Sequence, residues 1–317
     1  MNTDTAGGLL HERGRSTRAL AGVRLLRRED DDYPTLLRPV AVAPASLHVR
    51  GTIRPEDALA IAVVGSRRAT PYGLEMAGEL AADLARRGVT VVSGLARGID
   101  SAAHRGALRA GGRTIAVLGS GIDVIYPPEN RRLAAEVAES GAVLSELPPG
   151  TPPFPQHFPQ RNRLIAGLAL GVVVVEAAER SGSLSTAGWA ADLGREVMAV
   201  PGKATSPVSR GTHQLIRDGA ALILGWEDVV GQLPEHWRRC VGDVPVGPAP
   251  SEDGPGVGNA DVRAVLSAVG EEPVSIEDVI ERSGVASGRA ASVLLTLELE
   301  GRVKQLAGKR FVRPGRG

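Results

Sequence analysis

Seven short apolar runs recur between residues 59 and 224 and are separated by helix-length segments. Their apolar character is continuous rather than alternating, which is typical of strands that are covered on both faces. The runs span residues 59–65, 89–94, 114–119, 142–147, 171–178, 196–202 and 220–224. Strands that alternate with helices predict a doubly wound α/β fold with a mostly parallel sheet and right-handed crossovers.

The clearest helix signal follows the first of these runs. Thr70 is suited to the N-cap, Pro71 to the first turn, and Gly88 to closing the helix. Apolar residues recur between them at helical spacing. The predicted buried face consists of Leu74, Ala77, Ala81, Leu84 and Ala85.

Composition divides the chain into four parts. Residues 1–50 are Arg-rich and weakly patterned, which predicts a small helical or partly disordered segment. Residues 51–235 contain the α/β domain. Residues 236–260 are rich in Pro, Gly and acidic residues, which is typical of a flexible linker. A smaller module is predicted for residues 261–317.

That smaller module has the signals of three helices and a hairpin. Ser275, with Asp278 three residues later, resembles a capping box at the start of the second helix. The third helix is expected to end at Gly301, and the hairpin to turn at Ala307-Gly308. This order predicts a winged helix-turn-helix with the third helix as the recognition candidate.

Composition limits the classes of function. The net charge is +1, so overall basicity gives no argument for nucleic acid. The single cysteine, Cys240, allows no intrachain disulfide and suits a reducing compartment. The N-terminus has no apolar secretory core, and the longest apolar run, residues 164–175, is too short to span a membrane. We therefore expect a cytoplasmic protein without membrane contact.

Glycine, serine and arginine cluster where the predicted strands end. Glycine lets the backbone approach an anion, and the following helix start adds a positive dipole end. Because parallel strands end at one edge of the sheet, several such loops predict a phosphate-binding surface there. The residues are Gly65, Ser66 and Arg67 after the first run, Ser93, Gly94, Arg97 and Gly98 after the second, and Lys203 after the sixth.

Two further segments fit the same surface. The HFPQRNR segment places Phe158 beside Arg161, Asn162 and Arg163, a combination that suits phosphates on arginine and a base on the ring. The alternative is a helix start whose arginines are solvated or pair with Glu146 and Glu176. The RSGSLST segment offers Ser181 and Gly182 before a helix, again suited to an anion.

Enzymatic and metal patterns are weak. The dinucleotide fingerprint is absent after the first strand, and the Walker pattern is absent altogether, so no cofactor is predicted. Asp100 and His104 follow Ser93 and invite a triad, yet an Asp/His pair one turn apart favours a structural hydrogen bond. The histidines lack metal-ligand spacing. We predict no catalytic residue and no metal site.

At these loops the sequence closely resembles the bacterial DNA-processing protein A family, DprA, also called Smf. The resemblance runs from Tyr33-Pro34 to about Gly225. It is carried by VGSRRATPYG (64–73), VVSGLARGIDSAAHRGAL (91–108), TIAVLGSGIDVIYPPENRRL (114–133), FPQRNRLIAGL (158–168), VVEAAERSGSLSTA (174–187) and VPG (200–202).

The resemblance implies an extended Rossmann-like domain that binds single-stranded DNA, protects incoming DNA in natural transformation and helps to load the RecA recombinase. It also implies a homodimer without established catalytic activity. The positions that match the family's DNA-binding residues are Ser66, Arg67, Arg131, Phe158, Arg161 and Arg163.

The chain departs from the family at several points. Its N-terminal region is shorter than the helical domain of many relatives, and His213 stands where relatives often have Asn. The predicted winged helix is a variable part of the family, so it leaves duplex DNA and a protein partner equally open. Its cationic candidates are Arg289, Arg302, Lys309, Arg310 and Arg313.

The competing interpretation is an enzyme. The glycine pattern is also similar to nucleotide phosphoribohydrolases of the lysine-decarboxylase-like superfamily, whose PGGxGTxxE motif supplies a catalytic Glu. If the motif's Thr is aligned with Thr186, Trp189 occupies the position of that Glu. The missing acid favours binding over hydrolysis, unless another carboxylate such as Glu146 or Glu176 takes its place.

Overall fold

The computed structural model describes residues 22–242, 259–270, 272–299, 302–306 and 310–313. It forms two compact units, Met1–Ala249 and Pro250–Gly317. Most of the predicted flexible linker, residues 243–258, lies outside the described residues. A short helix covers Glu235–Arg238, and Trp237 packs against the core of the first unit.

One nine-stranded sheet organises the first unit, with the spatial order β1-β2-β6-β5-β4-β3-β7-β8-β9. Strands β3 to β9 are parallel, which confirms the predicted α/β fold. The strands are β1 Val23–Arg27, β2 Ser46–Gly51, β3 Ala60–Val64, β4 Thr90–Ser93, β5 Thr114–Val117, β6 Ala142–Ser145, β7 Gly171–Val174, β8 Glu196–Ala199 and β9 Ala221–Leu222.

Helices cover both faces of this sheet, and the sheet separates the apolar cores that lie beneath them. Central strand residues face one core or the other; for example, Ala62 lies in one and Ile61 in the other. The helices are α1 Pro71–Arg86, α2 Ile99–Arg109, α3 Arg131–Ser140, α4 His157–Gly167, α5 Gly182–Asp192, α6 Arg210–Arg217, α7 Trp226–Gln232 and α8 Glu235–Arg238.

The first fifty residues differ from the prediction of a small helical or disordered segment. Residues 1–21 lie outside the described part, but β1 and β2 are strands that pair with each other and extend the large sheet antiparallel to β6. Leu47 and Val49 are buried between more exposed neighbours. The sheet therefore crosses the predicted boundary at residue 51, because β2 ends at Gly51.

Helix α1 follows the prediction at its caps and departs from it on its apolar face. The Thr70 side chain accepts a hydrogen bond from the Gly73 amide, and Gly88 takes a φ of 80° just beyond the helix. Leu74, however, is 40% exposed. A helix of 16 residues is about 24 Å long and a five-residue strand about 17 Å, so the first turn extends past the strand.

Strand order reverses between β3 and β7. The chain builds β3 to β6 on one side, then crosses back and adds β7 to β9 on the other. A crevice opens at such a switch point, beyond the carboxyl ends of the two strands. The loops that follow β3 and β7 therefore face the same crevice.

The second unit has the predicted arrangement of three helices and a small sheet. Ser275 caps the second helix in a capping box with Asp278, as expected. The predicted end at Gly301 and the turn at Ala307-Gly308 lie outside the described residues. The elements are α9 Asn259–Ala268, β10 Val274–Ser275, α10 Ile276–Ser283, α11 Ser287–Leu299, β11 Lys304–Leu306 and β12 Arg310–Val312.

Only some of the basic residues predicted to bind a partner in this unit lie within the described residues. Arg302 and Arg310 are exposed and Arg313 is half-buried. The side chain of Arg289 and the whole of Lys309 lie outside the described residues. Across the described ranges of both units, no helix is long and apolar enough to cross a membrane.

Candidate nucleic-acid interface

A groove of about 660 Å³ occupies the switch point between β3 and β7. It brings together eight of the residues that the sequence singled out. They are Gly65, Ser66, Arg67, Phe158, Arg161, Asn162, Ser181 and Gly182. Arg68, Tyr126, Thr186, two prolines of the segment before α4 and Pro159 in its first turn also line it.

The loop after β3 packs closely on its neighbours at two glycines that have no room for a side chain. A Cβ on Gly65 would lie 2.7 Å from Ile99 Cγ1 and 2.9 Å from the Glu176 carbonyl oxygen. Gly98 has a φ of 73°, and its Cβ would lie 2.2 Å from the Ser66 carbonyl oxygen. The two glycines therefore let the β3 loop rest on the start of α2, which leaves Arg67 exposed at the groove.

Arg67 and Phe158 form the centre of the groove. The Arg67 guanidinium carbon lies 5.2 Å from the centroid of the Phe158 ring, within the range of a cation–π contact. Guanidinium forks bind phosphate oxygens, and aromatic rings stack on bases. The pair can therefore contact both parts of a nucleotide.

Arg161 lies under the groove rather than on its rim. The side chain is only 4% exposed, and it donates hydrogen bonds to the carbonyl oxygens of Gly94, at 2.8 Å, and Val117. Burial lowers its pKa to about 10, although the nearby Asp100 carboxylate opposes that shift. Because its Nη1 is bound to two carbonyls, Arg161 braces the loop after β4 and adds positive potential beneath the groove.

Asp100 is the buried acid that faces this arginine. Its carboxylate accepts hydrogen bonds from the amides of Gly94 and Ala96, at 3.2 and 3.3 Å. Burial raises the Asp100 pKa, while the charge of Arg161 acts in the opposite direction. Asp100 and Arg161 thus fix the β4 loop from two sides.

The far end of the groove is the start of α5. Ser181 is the N-cap residue, and its hydroxyl accepts a hydrogen bond from the Ser183 amide. Asn162 ties α4 to this end, because its Nδ2 donates to the Gly182 carbonyl at 3.2 Å and to Ser185 Oγ at 2.8 Å. A helix start with small residues is suited to an anion.

Three of the predicted residues lie elsewhere because their groups have other partners. Ser93 is fully buried and donates to the Val63 carbonyl. The Gly94 amide and carbonyl are bound by Asp100 and Arg161. Gly98 supports the β3 loop without lining the groove.

Four predicted cations also lie outside this groove. Arg163 forms an ion pair with Glu146, as the alternative to phosphate binding predicted. Glu176 instead accepts hydrogen bonds from the amide and hydroxyl of Thr70. Arg97 is exposed and pairs with Glu129. Arg131 begins α3, and Lys203 follows β8; both are exposed.

Tyr126 is an aromatic groove residue that the sequence prediction missed. It follows β5 in the loop that contains Gly119-Ser120-Gly121. The available clue was an aromatic residue in a strand-end loop, and the structure shows that this side chain is 39% exposed.

The triad alternative has no geometric support. His104 Nδ1 lies 2.7 Å from Thr114 Oγ1, and Ser93 Oγ is bound to a backbone carbonyl. Burial lowers the His104 pKa to about 3. The described residues also contain no group of three or more His, Cys, Asp or Glu side chains that could hold a metal ion.

Comparison with known proteins gives two family-model matches. Residues 24–234 match DNA recombination-mediator protein A, and residues 247–309 match the DprA winged helix domain. Protein Smf of Escherichia coli is 41% identical over 287 residues, which cover 90% of this chain and 76% of that protein. A putative DprA of Mycobacterium tuberculosis is 39% identical, covering 93% of this chain and 79% of the relative.

Two solved structures of the family are also similar. DprA from Streptococcus pneumoniae has a TM-score of 0.63 and 42% identity, covering 68% of this chain and 75% of that one. DprA from Helicobacter pylori, solved in a study of its single-stranded DNA binding mode, has a TM-score of 0.59 and 30% identity, covering 66% and 94%. The chain therefore belongs to the DprA/Smf family of DNA recombination-mediator proteins.

Proposed function

We propose that this protein binds single-stranded DNA in the groove between β3 and β7. The observation that carries the proposal is the exposed Arg67 guanidinium placed over the Phe158 ring, beside the start of α5. Together these groups offer a cation, a stacking surface and backbone amides to one strand. The single-stranded DNA binding described for the Helicobacter pylori relative supports the same ligand.

The groove residues have separate roles in this proposal. Arg67 and Ser66 bind phosphate, and Phe158 stacks on a base. Ser181 and Gly182 bind a second phosphate at the start of α5. Gly65, Asn162 and Arg161 shape the site from below. Arg97, Arg131 and Lys203 contribute charge around it, whereas Arg163 is paired with Glu146 and positions α4.

We also infer a place in recombination from the family. The protein would protect incoming DNA and help to load RecA recombinase in natural transformation, acting in the cytoplasm as a homodimer. The winged helix would bind duplex DNA or a protein partner. Duplex binding that is lost when residues 241–317 are deleted would favour the first of these.

The experiment measures fluorescence anisotropy of a labelled oligo-dT with the full chain across a salt series. We expect Arg67→Ala to weaken binding about tenfold and to reduce the salt slope by about one. A matched duplex should bind more weakly at this groove, because its bases are stacked and cannot reach Phe158. Equal affinity of the wild type and Arg67→Ala would overturn the site.

Hydrolysis of a nucleotide is the alternative, and the geometry does not favour it. The two carboxylates that could replace the missing acid are engaged, Glu146 with Arg163 and Glu176 with Thr70. Release of free base from a nucleoside monophosphate by the pure protein, lost in Glu176→Gln, would establish the enzyme instead.

A further inference from the structure

Aromatic residues are scarce in this chain, which has three Phe, three Tyr and three Trp among 317 residues. Two of these nine, Tyr126 and Phe158, line the same groove. Their ring centroids lie 5.7 Å apart with the planes tilted by 49°. Tyr126 also lines a small cleft of about 30 Å³ together with Arg67, Arg97 and Phe158.

The loop that carries Tyr126 is braced. The Ser120 hydroxyl donates to the Val124 carbonyl at 2.5 Å, and the Val124 amide donates to the Gly121 carbonyl at 2.9 Å. A Cβ on Gly119 would lie 2.9 Å from Phe158 Cδ1, so the Phe158 ring rests on this same loop. One rigid loop therefore sets the positions of both rings.

Sheet order gives the groove a direction. Tyr126 follows β5, Arg67 follows β3 and Ser181 follows β7, and the sheet runs β5-β4-β3-β7. Three strand spacings, about 14 Å, separate β5 from β7, the strands whose following loops carry Tyr126 and Ser181. A stacked strand advances about 3.4 Å per nucleotide, so this distance can hold several nucleotides. Arg67 therefore lies between an aromatic end, at Tyr126, and the start of α5, at Ser181.

We propose that Tyr126 is a second base-stacking residue, and that a single strand crosses the groove with a phosphate at the start of α5 and a base on the Tyr126 ring. The inference rests on the proposed function and adds the strand's placement to it. Stacking needs an exposed π face on an unpaired base, which a single strand offers and a duplex does not.

The test compares labelled oligo-dT with an abasic phosphodiester strand of equal length, using the full chain. Tyr126→Ala should weaken oligo-dT binding about tenfold and change abasic binding less than twofold. Tyr126→Phe should bind both like the wild type, because it keeps the ring. Tyr126→Leu fills similar space without a π face and should behave like Tyr126→Ala.

Tyr72 supplies the matched control. It is 49% exposed and donates its hydroxyl hydrogen bond to the Pro201 carbonyl outside the groove, so Tyr72→Ala should change neither affinity. Equal loss on both strands, or no loss in Tyr126→Ala and Tyr126→Leu, would overturn the stacking role. If Arg67→Ala still weakens binding in that case, only this inference fails. If Arg67→Ala also has no effect, the proposed function fails with it.

Discussion

The guanidinium of Arg163 and the carboxylate of Glu146 form a two-pronged ion pair. Arg163 Nη1 lies 2.8 Å from Glu146 Oε1, and Nη2 lies 2.5 Å from Oε2. Each side chain is only 18% exposed. The sequence presents Arg163 and Arg67 as equivalent phosphate ligands, yet the first joins α4 to the segment after β6 and the second is exposed at the groove.

We expect Arg163→Ala to destabilise the fold more than it weakens DNA binding. It leaves a half-buried carboxylate without its partner, which should lower the free energy of unfolding by about 2 kcal/mol. Urea unfolding measures this loss, and oligo-dT affinity should stay within about threefold. Arg210→Ala is the control, because its pair with Glu179 is exposed and should contribute little. A stable Arg163→Ala variant with a large loss of affinity would contradict this role.

We expect Glu129→Gln to raise the affinity for oligo-dT about two- to threefold at low salt. The Glu129 carboxylate pairs with exposed Arg97, which lowers the Glu129 pKa and keeps the acid charged at neutral pH. An exposed pair is weak, so a phosphate can replace the carboxylate on Arg97, and removing the acid favours that exchange. The gain should shrink as salt rises.

The control for this prediction is Glu136→Gln. Glu136 is also exposed and pairs with Arg132 on α3. A similar gain in both variants would show a general charge effect rather than competition at Arg97.

We expect stability to fall as the pH drops from about 6.5 toward 3, with His104 as one cause. Thr114 donates its hydroxyl proton to the Val91 carbonyl, so it accepts from His104 Nδ1–H. The folded protein holds this histidine neutral, with a pKa of about 3, whereas the unfolded chain takes up a proton below its ordinary value. Between these two pKa values, the free energy of unfolding should fall by about 1.4 kcal/mol for each pH unit.

Urea unfolding at pH 7, 6 and 5 tests the role of this histidine. His104→Asn should be less stable at pH 7 and should show a shallower decline toward pH 5. His236→Asn replaces an exposed histidine and should keep the decline of the wild type. An undiminished slope in His104→Asn would assign the pH dependence to other groups.

We expect Gly98→Ala to damage both stability and DNA binding. A Cβ there would overlap the Ser66 carbonyl oxygen, and the φ of 73° with ψ of −126° is a conformation that favours glycine. The strain should cost roughly 2–3 kcal/mol and displace the loop that presents Arg67. Gly188→Ala in α5 is the control: it meets nothing within 4 Å, and alanine favours a helix. Normal oligo-dT affinity in Gly98→Ala would show that the loop tolerates the shift.

Local sequence signals were sufficient where one short-range interaction decides the structure. The β-branched runs predict the seven parallel strands because strands covered on both faces must be apolar throughout. Thr70 and Ser275 cap their helices as predicted, since a cap depends only on residues up to three positions away. The first two strands were missed, because the alternation of Leu47 and Val49 with polar residues in β2 is a weaker signal than the continuous apolar runs of the parallel strands.

By itself, the sequence determined the parallel part of the sheet, the helix caps and the strand-end loops that can approach an anion. The tertiary structure decided which of the arginines are exposed. Arg161 is buried against two carbonyls, Arg163 is matched by a carboxylate 17 residues earlier in the chain, and Arg67 is exposed over Phe158. The physical reason is that a cation's role depends on its partners, and strand order places those partners beside it from distant parts of the chain.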